Sequence, residues 1–221
     1  MKKLIIVMLI MLSSIAMYAQ NNDLGIFAGS SYYTGDLNPD KQFNNNSIAV
    51  GAFYRHNFTN RLAIKAGFTS TPNLKSNDFQ NRGLSFKTNL NELSAQFEVN
   101  FYEFKIDGDE NRLTPYIFGG IGYTMFTASK DSLGIKTKLK ATTKSFPFGI
   151  GIKYNPIKNV SVGLEWGLRK TIGKNADKID NVDKVGIRIS DATDWYAFAG
   201  LLISIRLNFF QSDRCEELQM H

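Results

Sequence analysis

Eight segments in which apolar and polar residues alternate follow one another along this chain with no helical pattern between them. That repetition constrains the fold more than any other feature, because a period of two sends successive side chains to opposite faces of a strand. In the last segment Trp195, Ala197, Ala199, Leu201, Ile203, Ile205, Leu207 and Phe209 share one face, and Tyr196, Gly200, Ser204, Arg206 and Asn208 share the other. In a soluble sandwich the apolar face would meet a second sheet. Behind an export signal it meets lipid.

The first residues carry such a signal. Lys2 and Lys3 form a positive n-region, residues 4–15 an apolar run, and Ala16 and Ala19 supply small residues for a signal peptidase, with Met17 an imperfect minus-three residue. Cleavage is expected after Ala19, which divides the chain into a signal peptide (1–19), a barrel domain (20–210) and a periplasmic C-terminal tail (211–221). The apolar run is short for a spanning helix, which needs about 20 apolar residues, and no later run is long enough. Insertion in a membrane is therefore expected as a closed barrel, the other structure that satisfies every backbone group in hydrocarbon.

Strands are predicted at residues 24–33, 47–57, 61–70, 84–102, 113–126, 142–154, 160–172 and 194–209. The links at 57–60 and 155–159 are short and turn-rich, those at 34–46, 71–83, 127–141 and 173–193 are long and polar, and 103–112 is intermediate. Outer-membrane barrels have short periplasmic turns and longer external loops, so the alternation predicts an orientation. The expected fold is all-β, an eight-stranded antiparallel transmembrane outer-membrane β-barrel with its carboxyl terminus on the periplasmic side. The 17 Phe, 9 Tyr and 18 Gly suit aromatic girdles and a closely packed sheet.

Parity then sorts the side chains. Ile48, Val50, Ala52 and Tyr54, then Leu62, Ile64, Ala66 and Phe68, then Leu93, Ala95, Phe97, Val99 and Phe101, and finally Val160, Val162, Leu164, Trp166 and Leu168 are expected to face lipid. The opposite faces carry Arg55, Lys65, Glu92, Glu98, Lys153, Glu165, Arg169 and Arg206. An Arg or Lys turned to lipid at the midplane costs about 2 to 4 kcal/mol, whereas in a narrow lumen it can pair. These eight residues are expected to form a lumen charge network that plugs an interior just wide enough for side chains.

Chemistry has few places to reside. His56 sits at a strand end with lipid-facing parity, and His221 in a polar tail. No cluster has the ligand spacing of a zinc or iron site. Gly119, Gly120, Gly122, Gly149 and Gly151 lack the helix and lysine of a phosphate loop and read as close strand packing. No catalytic residue, cofactor or metal is expected. Loss of Lys2 and Lys3 takes the formal charge from +6 to +4, too diffuse for a nucleic-acid partner. Outer-membrane lipid is the expected partner. Cys215, the single cysteine, lies beyond the last strand. With no internal partner in an oxidising compartment, it is a candidate contact to a periplasmic protein.

Five segments resemble a known family. Ser31-Tyr-Tyr-Thr-Gly-Asp-Leu-Asn-Pro39, Glu92-Leu-Ser-Ala-Gln-Phe-Glu98, Thr114-Pro-Tyr-Ile-Phe-Gly-Gly-Ile-Gly122, Gly163-Leu-Glu-Trp-Gly-Leu-Arg-Lys-Thr171 and Asp194-Trp-Tyr-Ala-Phe-Ala-Gly200 look like the PorG-like outer-membrane proteins of the Bacteroidetes type IX secretion system. The resemblance implies an accessory barrel that contacts the periplasmic ring of a lipoprotein and its partner and supports export of proteins bearing a C-terminal signal. A generic structural or adhesive barrel would use the same plugged lumen and expose its long loops instead. A lipid-modifying enzyme would need a nucleophile and a histidine converging near the outer leaflet, which neither His56 nor His221 supplies.

Overall fold

The computed structural model describes residues 22–34, 46–77, 85–104, 112–132, 135–172 and 195–207. Within them the chain forms β1 (Asn22–Thr34), β2 (Ser47–Asn57), β3 (Leu62–Asn77), β4 (Ser85–Asn100), β5 (Leu113–Ser132), β6 (Ile135–Ile157), β7 (Val160–Ile172) and β8 (Trp195–Arg206). Each strand pairs antiparallel with its sequence neighbour, and β1 pairs with β8 from Asp23↔Arg206 to Thr34↔Trp195. The result is a closed eight-stranded barrel. The expected signal peptide, the tail and Cys215 lie outside the described residues.

β2 and β7 have the predicted bounds, but β3, β5 and β6 run well past theirs. β3 continues through most of a segment read as loop, kinked by a register shift between Thr71 and Leu74. Pro72 falls in that shift, where a missing N–H breaks no ladder bond. β5 and β6 consume nearly all of 127–141 and leave only two residues between them. A spanning strand needs about 9 to 11 residues, so this hairpin, at 20 and 23 residues, stands well beyond the part that lipid can cover. There β5 carries polar residues at both parities, and on β6 lysines 136, 138 and 140 take the parity that is apolar below, so a paired strand reads as loop.

The opposite end is knitted together by its turns. Phe104 N–H bonds Asn60 O at 2.9 Å, Asn155 N–H bonds Arg112 O at 2.8 Å, Arg206 N–H bonds Asn159 O at 2.9 Å, and Leu207 N–H bonds Asn22 O at 2.8 Å. Asn159 takes φ 64° in the β6–β7 turn, a left-handed conformation that asparagine accepts more readily than most residues. Phe104 is buried and lies 6.0 Å below the Lys153 ammonium.

Candidate functional site

The two faces of the barrel wall divide the residues sharply. Outward positions form an apolar belt: on β6 they are Phe146, Phe148, Ile150, Ile152 and Tyr154, all exposed. Ile48, Val50, Tyr54, Ile64, Phe68, Leu93, Phe97, Phe101 and Leu164 are exposed likewise. Five alternate positions at about 3.3 Å per residue, tilted about 40°, give a belt about 20 Å tall, most of the roughly 25 Å of a barrel's lipid-facing band. So large an exposed apolar surface on a closed barrel is a membrane-spanning surface.

Ala197 departs from the expected exposure. It has the lipid-facing parity yet is 0% exposed. Tyr32, its direct partner on β1, reaches across β8 to accept a hydrogen bond of 2.7 Å from the Trp166 indole on β7. Ala197 and Ala199 are small enough to leave the trough that this phenol crosses.

Inward positions hold two ionic groups. In the first, nearer the end with short turns, Glu98 on β4 is the hub. The Arg55 guanidinium approaches it to 2.9 Å from β2, Lys65 to 3.4 Å from β3 and Lys153 to 2.6 Å from β6. Lys65 also bonds Glu165 on β7, and the Tyr116 hydroxyl donates to the same carboxylate at 2.7 Å. Asp23 on β1 lies 3.7 Å from Arg55 and accepts from the Asn57 amide at 3.1 Å. Lys153 donates further to Asn100 at 2.9 Å.

The second group lies toward the long-loop end. The Tyr196 hydroxyl donates to Glu92 at 2.5 Å and meets Thr124 Oγ1 at 2.7 Å, which donates to Ser145 at 3.1 Å. Arg169 is 3.6 Å from Glu92 and stacks 4.4 Å over the Phe198 ring. Seven of the eight expected network residues are thus buried in these two groups. Arg206 is only half-buried, near the short-turn rim. Sequence reasoning missed Asp23, Asn100, Tyr116 and Tyr196. Asp23 had a usable signal, since it shares the inward parity of β1.

Between the ionic groups aromatic rings share the lumen with the buried Ser94 and Gln96. Phe27, Phe53, Phe118, Phe198 and Leu202 are buried there, and their rings lie against inward glycines. A Cβ on Gly151 would fall 2.5 Å from the Tyr116 ring, and one on Gly167 at 2.5 Å from Phe118 Cζ. Glycine is what lets these rings lie flat against the neighbouring strand. A cavity of about 30 Å³ remains, lined by Lys65, Thr69, Ser94, Gln96, Glu165 and Arg169 among others. That admits a water or two, far too little for a solute among the described lumen residues. Among the described residues, no three His, Cys, Asp or Glu side chains converge in a way that could hold a metal. His56 joins neither group: its Nδ1 lies 2.6 Å from Asn22 Oδ1 at the rim, and its ring stacks edge-on with Phe58 at 4.8 Å.

Known proteins match this geometry in fold. Neisserial surface protein A superposes with a TM-score of 0.54 at 12% identity, over 84% of this chain and 96% of that one. Ail of Yersinia pestis gives 0.48 at 15% identity, over 84% and 98%. The N-terminal barrel domain of Pseudomonas aeruginosa OprF gives 0.46 at 14%, over 84% and 98%. No curated protein matches the sequence. Residues 2–215 match a family described as a domain of unknown function, DUF6089.

Proposed function

Because the chain belongs to the DUF6089 family, for which no activity is described, we propose a function from its barrel: it is a non-enzymatic outer-membrane component of the type IX protein secretion system that anchors or stabilises a periplasmic ring complex. The observation that carries the first half is the packed lumen. With Glu98 0% exposed beneath three cations and aromatic rings above it, the described part of the lumen is filled by side chains, which supports action through the surfaces at the two ends. The second half is supported by the resemblance of Glu92–Glu98, Thr114–Gly122 and Gly163–Thr171 to PorG-like proteins. The interlocked short-turn end provides a rigid platform on the side where such a ring sits. Cys215 is assigned to the same periplasmic contact.

A cross-linked, mild-detergent purification from native membranes tests the assignment. A lipoprotein and its partner should co-purify, and deleting the gene should leave proteins with a C-terminal export signal inside the cell. Intact secretion in the deletion strain overturns it. The second reading, a structural or adhesive barrel, is favoured by the β5–β6 hairpin, whose length far exceeds what lipid needs. It predicts normal secretion and loss of a surface property when that hairpin is trimmed.

A further inference from the structure

The long β6 strand carries more than its lipid-facing residues. Below Phe146 its outward positions are apolar, and above it they are Lys144, Thr142 and Lys140, each exposed. Positions 138 and 136, the next two with the same parity, are also lysines. On β7, Lys170 pairs in register with Phe146, is exposed and lies 5.5 Å over the ring of Trp195. Trp195 in turn packs edge-on against Phe148 at 6.0 Å. Exposed aromatic rings mark the polar boundary of a barrel's lipid-facing band, so this group fixes the height at which the lysines begin.

With about 3.3 Å per residue and a tilt of about 40°, Lys144 stands about 5 Å and Lys140 about 15 Å beyond Phe146 along the membrane normal. The residues registered beside them on β5 are neutral, Tyr123 opposite Lys144 and Thr127 opposite Lys140. The acid that the ladder sets in this column, Asp131, is in register with Lys136, farther out than Lys140. A column of cations is thus continuous with the lipid-facing surface and rises from its upper edge through the headgroup layer, on the side of the long links.

We propose that this face of β6 and β7 binds the phosphate groups of outer-leaflet glycolipid, a lipid A-type molecule whose acyl chains lie on the belt below. Lysine suits the task as a flexible point charge that meets a phosphate without a fixed fork geometry. Lys170 and Lys144 sit at the height of the glucosamine phosphates, and Lys140 reaches toward charges on the sugars above. The belt and the lysines then engage one molecule at once, which places the two contacts at high effective concentration. The proposal is independent of any role in secretion.

The test uses the full mature chain in detergent, titrated with diphosphoryl lipid A, with chemically dephosphorylated lipid A and with phosphatidylglycerol, bound lipid being counted by native mass spectrometry. Diphosphoryl lipid A should bind at least about tenfold more tightly than either competitor. A Lys140→Gln/Lys144→Gln/Lys170→Gln variant should lose about tenfold of that affinity, and the matching Lys→Arg triple variant should keep it. Equal binding of phosphorylated and dephosphorylated lipid A by the unaltered protein overturns the proposal without reference to any variant. So does an unchanged affinity in the Gln variant, and so does equal binding of phosphatidylglycerol, which would make the column a general anionic surface.

Discussion

Tyr196 on β8 and Glu92 on β4 stand on opposite walls of the barrel and share a hydrogen bond of 2.5 Å across its full width. Lys65 and Glu165 do the same from β3 to β7. The wall is therefore braced through its interior as well as along its ladder, and each brace is a separate target.

Removing the hub should hurt most. Glu98→Ala takes the carboxylate from Lys153 and leaves Arg55 only the more distant Asp23 and Lys65 only Glu165 in a buried space, and should cost about 3 to 5 kcal/mol. Glu165→Ala, which leaves Lys65 still facing Glu98, should cost less. Urea unfolding in lipid vesicles, followed by the heat-modifiable gel shift, orders the two variants; an inverted order removes Glu98 from the centre of the network.

Tyr196→Phe deletes one hydroxyl that bonds both Glu92 and Thr124. The ring stays, packed against Phe198 at 5.6 Å, so the expected loss of about 1 to 3 kcal/mol is the cost of unsatisfied buried partners. Tyr54→Phe, on the exposed belt, should be near neutral by the same unfolding measurement.

Two glycines separate wall geometry from composition. A Cβ on Gly29 would strike the backbone of Ala199 and Gly200, whereas one on Gly119 meets nothing within 4 Å. Backbone cannot step aside as a side-chain tip can, so Gly29→Ala should cost about 1 to 3 kcal/mol and slow barrel assembly. Gly119→Ala should do neither, and equal refolding yields for the two would contradict this account.

Orientation is testable by labelling. In a Cys215→Ser background, a cysteine at Lys140 should react with an impermeant maleimide on intact cells, and one at Lys158 only after lysis. The reverse pattern would place the long links in the periplasm.

Much of this was legible because lipid and lumen demand opposite chemistry. Where the wall is covered by both, as along β2 and β7, alternation marks the strand to its last residue. It fails in two places for the same reason. Above the belt the pattern on β6 is reversed, with lysines 136, 138 and 140 at the parity that is apolar below and Ile135, Leu139 and Ala141 at the other, and within the lumen Phe27, Phe53, Phe118 and Phe198 are apolar on the face expected to be polar. Those rings depend on glycines of neighbouring strands, a relation between strands that one strand's pattern cannot express. Pairing was equally hidden: parity groups Lys65 with Glu165, a hundred residues away, but does not say which cation reaches across.

The seam between β1 and β8 joins Asp23 to Arg206 and Thr34 to Trp195, so the ladder that completes the barrel links the two ends of the domain. Until the last strand has been delivered, every shorter version of this sheet has two open edges, each a template for pairing with another chain. Closure across so large a sequence separation is slow. A nascent chain must therefore be kept from its neighbours throughout its passage to the membrane, and a truncation before Trp195 should yield aggregate in place of a smaller barrel.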